Sequence, residues 1–148
     1  MTRNITRRQF NQNAASLVGG FAAVHSFSAS ADAKRNDRLG VAVVGLNTRG
    51  TAHIEGFTVD SRVDVRVVVD VDSATASKAA DLVEKLTGKR PIVLSDIRTA
   101  IDRSDIDIIT VATPNHWHAV MGLWAMQAGK DVYLEKPISH NVTEGRAI

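Results

Sequence analysis

The sequence predicts a doubly wound α/β domain built on a parallel sheet, and three observations carry that prediction. Apolar runs rich in Val and Ile recur along the chain, capped helix-like segments separate them, and a glycine-bearing turn joins the first run to the first helix. The runs are Leu39–Val44, Val63–Val69, a weak one over 91–94, 106–111 and the shorter Asp131–Leu134. Each is nearly continuous in apolar residues rather than alternating, the mark of strands covered on both faces. The helix predicted over 73–86 starts on a Ser N-cap, Ser73, and has Gly88 just past its end. The one over 116–128 closes on Gly129, with Asn115 as its candidate cap.

At 148 residues with 44% apolar content, the chain is long enough for one domain with a real core. Its basic character is confined to one end. Residues 1–31 carry Arg3, Arg7 and Arg8 and no acid, whereas the remainder holds 15 basic against 16 acidic residues. A near-neutral body with no basic stripe argues against a nucleic-acid partner. The chain has no cysteine, which excludes disulfides and thiolate metal sites.

Residues 1–31 read as an export signal and 32–37 as a linker, leaving 38–148 as the folded domain. Thr6-Arg7-Arg8-Gln9-Phe10 precedes an apolar stretch over 14–24 that is too short to span a bilayer, followed by small residues suited to cleavage around Ala31. The paired arginines resemble the twin-arginine signal, although Asn11 stands where that pattern has an apolar residue. The expected destination is the periplasm. A plain basic tail leaves the ordered succession of charge, apolar core and small-residue exit unaccounted for.

Gly45-Leu46-Asn47-Thr48-Arg49-Gly50 follows the first run as a G-x-G-x-x-G loop with Asn47 in place of the middle glycine. Gly45 suits the tight turn, and Gly50 suits close packing of helix on strand. The helix start at Asn47, Thr48 and Arg49 offers backbone N–H groups to a pyrophosphate. Asn47 is a tolerable substitute because Asn accepts left-handed dihedrals better than most residues. Asp70 ends the second run 20 residues after Gly50, the separation expected of a carboxylate that binds the adenosine ribose. Such a carboxylate repels a 2′-phosphate, and no basic residue adjoins Asp70 in sequence, so NAD is favoured over NADP. Asp72 is read as a helix cap or first-turn acid. His53 reads as a packing histidine, and Trp117 and Trp124, seven apart, as core.

The fourth run exits through Thr113-Pro114-Asn115-His116-Trp117-His118 and the fifth through Glu135-Lys136-Pro137, both at the strand ends where open α/β sheets bind ligands. His116 and His118 lack a third ligand nearby, so no metal is expected. His118 in particular suits capping or packing.

Taken in order, the Gly45–Gly50 loop, Asp70, Thr113-Pro114-Asn115-His116 and Glu135-Lys136-Pro137 resemble the N-terminal, Rossmann-like half of the Gfo/Idh/MocA oxidoreductases. The resemblance covers 38–148. It implies that Thr113, Pro114, Asn115, His116 and Glu135 border the nicotinamide side of bound NAD. It also implies a cis bond before Pro137 and places Lys136 as the catalytic residue, beside the hydroxyl or carbonyl of a sugar or polyol. It implies further that a C-terminal substrate domain is lacking, that the chain is inactive alone, and that exposed apolar surface favours association into a homo-oligomer. Alternative readings are a stand-alone NAD-binding module, part of an NAD-dependent glycoside hydrolase, and a relic without function.

Overall fold

The structure, a computed structural model, describes residues 38–148. The export signal read over 1–31 and the linker over 32–37 lie outside the described residues. Five strands, β1 (Leu39–Val44), β2 (Val63–Val69), β3 (Ile92–Leu94), β4 (Ile108–Val111) and β5 (Asp131–Leu134), form one sheet in the order β3-β2-β1-β4-β5. Every pairing is parallel. The intervening helices are α1 (Thr48–Thr58), α2 (Ser73–Thr87), α3 (Ile97–Ile101) and α4 (Asn115–Gln127), and α5 (Val142–Gly145) follows β5.

Both faces of the sheet are buried, as the continuous apolar runs require. Val41 and Val43 of β1 pack with Ile54 of α1 and Ala76, Ala80 and Val83 of α2. Ala42 and Val44, pointing the other way, pack with Ile97 and Ile101 of α3 and Ala125 of α4. Burying a Val or Ile side chain of this kind contributes roughly 1.5–3 kcal/mol. The order reverses between β1 and β4, so their carboxyl ends part and open a crevice there.

Local chemistry sets the helix ends, and three details differ from the sequence reading. The N-cap of α2 is Asp72, in keeping with its own reading as a cap, and Ser73 is the first helical residue instead: the Asp72 carboxylate accepts from the Ala74 N–H at 2.9 Å and from the Thr75 hydroxyl at 2.8 Å. The carboxylate places one oxygen on each of these donors and adds a negative charge at the helix start. At α4 the N-cap position is Pro114, with no side-chain cap bond, and Asn115 is the first helical residue. Asn47 caps α1 in extended backbone at φ −76°, so its tolerance of left-handed dihedrals is not used. As expected, α2 closes on Gly88 at φ 74°. Among the described residues no helix is long and apolar enough to cross a membrane.

Candidate functional site

The site is built at the turn after β1. Gly45 has φ +80°, and a Cβ there would lie 2.7 Å from the Thr113 backbone nitrogen. A Cβ on Gly50 would lie 1.8 Å from the Gly45 carbonyl oxygen, so α1 leaves the strand in contact with it and only hydrogen fits between. The Gly50 N–H donates to the Asn47 carbonyl at 2.7 Å, and the Asn47 side chain accepts from the Thr48 N–H at 3.0 Å. The amides of Asn47 and Arg49 carry no hydrogen bond among the described residues. Free N–H groups at a helix start, with backbone exposed by two glycines, fit a pyrophosphate.

Asp70 ends β2 beside this turn. Its Oδ2 accepts from the Leu46 N–H at 2.9 Å and its Oδ1 from the Asp72 N–H at 3.0 Å. The carboxylate thus fixes the glycine turn and faces the cleft, a second task that its spacing from Gly50 did not reveal. The cleft measures about 470 Å³ and is lined by Gly45, Asp70, Val71, Asp96, Arg98, Thr113, Pro114, Trp117, Met121 and Trp124, among others. Trp117, exposed, is a cleft wall, a correction to its reading as core, whereas Trp124 packs on the core as read and also lines the cleft. Arg98 is also new. Remote from Asp70 in sequence, it reaches the same cleft from α3, with its guanidinium paired to Asp96 at 3.0 Å.

On the far side of β1, the exit of β5 joins the turn. Glu135 is nearly buried and accepts from Arg49 Nε at 2.9 Å and from Arg49 Nη2. It also meets His53 Nε2 at 3.2 Å and the Lys136 N–H at 3.3 Å. The Arg49 guanidinium is thus turned to the end of β5, leaving its backbone N–H for a phosphate. His53, read from sequence as packing, is buried between Glu135 and Thr110, whose hydroxyl stands 3.0 Å from Nδ1, with Tyr133 edge-on at 5.1 Å. The sequence held one signal for it: Arg49 and His53 are four apart on α1 and share a face. The Lys136–Pro137 peptide is cis, and Lys136 is exposed. His116 is exposed and His118 buried, and among the described residues no group of three His, Asp or Glu side chains is placed to hold a metal ion.

The Arg49 guanidinium, and after it His53, hold the Glu135 carboxyl down to about 2 from its ordinary 4.5, against the opposing effect of desolvation. Above about pH 4.5 the carboxylate is ionised whether the chain is folded or not, and its stabilisation is complete. Between that pH and about 2 the unfolded chain takes up a proton that the folded one refuses, so the contribution is lost as pH falls through the folded value. Glu135→Gln is therefore expected to be less stable than the parent at neutral pH, with the gap closing from pH 4.5 towards 2 in urea unfolding at stepped pH. Asp60 and Asp96, also lowered to about 2, are common to both proteins and cancel in the difference. A gap that stayed constant with pH would contradict the network.

A family model described as an oxidoreductase family with an NAD-binding Rossmann fold, Gfo/Idh/MocA, matches residues 39–148. The chain belongs to the Gfo/Idh/MocA family. A glycosyl hydrolase family 109 protein of Shewanella baltica is 28% identical over 95% of this chain and 35% of its own length. An alpha-N-acetylgalactosaminidase of Shewanella oneidensis is 31% identical over 70% of this chain and 24% of its own. Among solved structures, GenD2 from gentamicin A biosynthesis, in complex with NAD, is 34% identical with a TM-score of 0.67, over 75% of this chain and 30% of that one. Levoglucosan dehydrogenase, in complex with NADH and levoglucosan, is 28% identical with a TM-score of 0.67, over 74% and 30%. This Gfo/Idh/MocA chain spans about a third of the length of the relatives it matches. Its cofactor is NAD, as the glycine turn, the free amides and the strand-end carboxylate of Asp70 had indicated.

Proposed function

We propose that this chain is the NAD-binding part of an enzyme that moves a hydride between NAD and a carbon of a sugar or polyol, with Lys136 as the catalytic residue. The observation that supports it is the Arg49–Glu135 pair, which ties the pyrophosphate turn to the strand end that presents Lys136. Bound NAD supplies the hydride acceptor or donor. Asp70 holds the adenosine ribose, the Gly45–Gly50 turn holds the pyrophosphate, and Thr113, Pro114, Asn115 and His116 flank the nicotinamide. As hydride leaves the carbon, Lys136 takes the proton of the hydroxyl on that carbon, and it returns the proton in the reverse direction. Transfer requires the carbon about 3–3.5 Å from the nicotinamide. In this reading a further domain supplies that positioning, and residues 38–148 alone bind NAD without turnover. Residues 1–31 direct export by the twin-arginine route, a proposal that rests on sequence and is checked by the intact mass of periplasmic protein.

One observation favours a second reading. The sequence relatives reported above are a glycosyl hydrolase family 109 protein and an alpha-N-acetylgalactosaminidase rather than dehydrogenases. In a hydrolase of that kind the hydride taken by NAD returns to the sugar, and a glycosidic bond is broken. The test is to supply the protein, joined to a substrate domain, with NAD and either polyols and sugars or an aryl α-N-acetylgalactosaminide. NADH accumulating with a polyol supports the first reading; aryl release without net NADH supports the second. Lys136→Ala is expected to abolish either activity while leaving NAD affinity unchanged. Full activity in that variant would remove Lys136 from the mechanism.

A further inference from the structure

His118, on the first turn of α4, serves neither the cofactor turn nor the Glu135 network, yet it is 1% exposed and both ring nitrogens are engaged. Nε2 stands 2.7 Å from the Thr113 carbonyl oxygen and Nδ1 stands 2.6 Å from the Pro137 carbonyl oxygen. Thr113 lines the cleft, and Pro137 belongs to the turn that carries Lys136. Thr113 follows the last residue of β4, and Pro137 follows Lys136. The β4–β5 ladder makes its last bond from the Glu135 N–H to the Val111 carbonyl at 3.0 Å. Beyond it the strands part: the Ala112 N–H turns to the Val44 carbonyl at 2.8 Å, and the chain after Glu135 bends away at the cis peptide. Past the ladder, among the described residues, the side-chain link between the two turns is the His118 ring.

We propose that His118 is a positioning residue whose ring braces the Thr113 turn against the Lys136–Pro137 turn and so sets where Lys136 lies relative to the nicotinamide. It touches no cofactor atom in this role. A carbonyl oxygen only accepts, and the two ring nitrogens stand on opposite edges of one rigid ring, so the imidazole spans the gap between the two carbonyls. A glutamine at this position has one donating nitrogen and an oxygen that cannot face the second carbonyl. It keeps one end of the brace and releases the other.

The inference rests on the assignment of NAD to the crevice, and the test separates the two. Affinities of the chain for NAD and for ADP-ribose, which lacks the nicotinamide, are measured by calorimetry for the parent, His118→Gln and His118→Ala. The NMR signal of 13C-methylated Lys136 is followed in each. Both variants are expected to bind ADP-ribose as the parent does. Through the loosened Thr113 turn, which flanks the nicotinamide in the proposed function, the preference for NAD over ADP-ribose is expected to fall by about tenfold, the size of one lost hydrogen bond, less in Gln than in Ala. The shift of the Lys136 signal on adding NAD is expected to shrink in the same order. Parallel loss of affinity for both ligands, variants indistinguishable from the parent, or failure of both variants to fold would assign His118 a merely structural role and overturn the proposal. A parent that binds ADP-ribose and NAD equally would also overturn it, and a parent that binds neither would overturn the cofactor assignment beneath it.

Discussion

Gly50→Ala is expected to abolish NAD binding and to destabilise the domain more than any other single methyl addition at the site. The new Cβ would stand 1.8 Å from the Gly45 carbonyl oxygen, a backbone atom that no rotamer change can move aside. Relief requires α1 to slide off the end of β1, carrying with it the free amides of Asn47 and Arg49 that the proposed function assigns to the pyrophosphate. Overpacking of this kind costs about 1–3 kcal/mol or more, a large share of the roughly 5–15 kcal/mol that holds a domain folded. Gly56, on the same helix, supplies the control. A Cβ there meets nothing within 4 Å, so Gly56→Ala is expected to stabilise the protein by about 0.5–1 kcal/mol through helix propensity alone. Urea unfolding and NAD calorimetry on the two variants check the pair. If Gly50→Ala bound NAD like the parent, the turn would not be the pyrophosphate site.

The contrast between those glycines also marks what was legible beforehand. Gly45 and Gly50 stand in a pattern whose geometry follows from the turn itself, and the Val- and Ile-rich runs reported strands covered on both faces. The sense of each side chain was not always readable. In Val63–Val69 strict alternation puts Val63, Val65, Val67 and Val69 on one face, but a register shift opposite Val41 and Ala42 adds Arg66 as an extra residue. Val65 then packs in one core and Val67 in the other. The guanidinium of Arg66 spans to the carbonyls of Asp105 and Arg38, partners far off in sequence. The Glu135 network was hidden for the same reason. Its bonds join residues 82 and 86 positions apart, and no local pattern reports a contact that only the closing of β5 beside β4 creates. Trp117 on α4 misled because helical spacing says which residues share a face but not that the face borders a cleft.

Asp70 carries the other large expected effect, because it braces the glycine turn and, in the proposed function, also holds the ribose. Asp70→Ala removes the ribose acceptor and leaves the amide of buried Leu46 without its partner, at a cost of about 1–3 kcal/mol in stability for an unsatisfied buried donor. The turn that carries the pyrophosphate loosens at the same time, so NAD affinity is expected to fall by about 10–100-fold. Asp70→Asn separates the tasks. Its carbonyl oxygen still accepts from Leu46, while its NH2 cannot accept from the exposed Asp72 N–H, so stability is expected to fall by less than in Asp70→Ala; the lost charge weakens the ribose contact and no longer repels a 2′-phosphate. The NAD over NADP preference should therefore narrow in Asp70→Asn, with a smaller loss of stability than in Asp70→Ala. Arg98 sharpens the test. It lines the same cleft, and its guanidinium is occupied by Asp96. Removing Asp96 together with the Asp70 charge frees a cation on the side of the cleft where a 2′-phosphate would lie. Asp70→Asn with Asp96→Ala is expected to bind NADP more tightly than either single variant, by calorimetry on both cofactors. If the parent bound NAD and NADP equally, or if the double variant gained nothing for NADP, Asp70 would be a brace for the glycine turn and not the residue that chooses the cofactor.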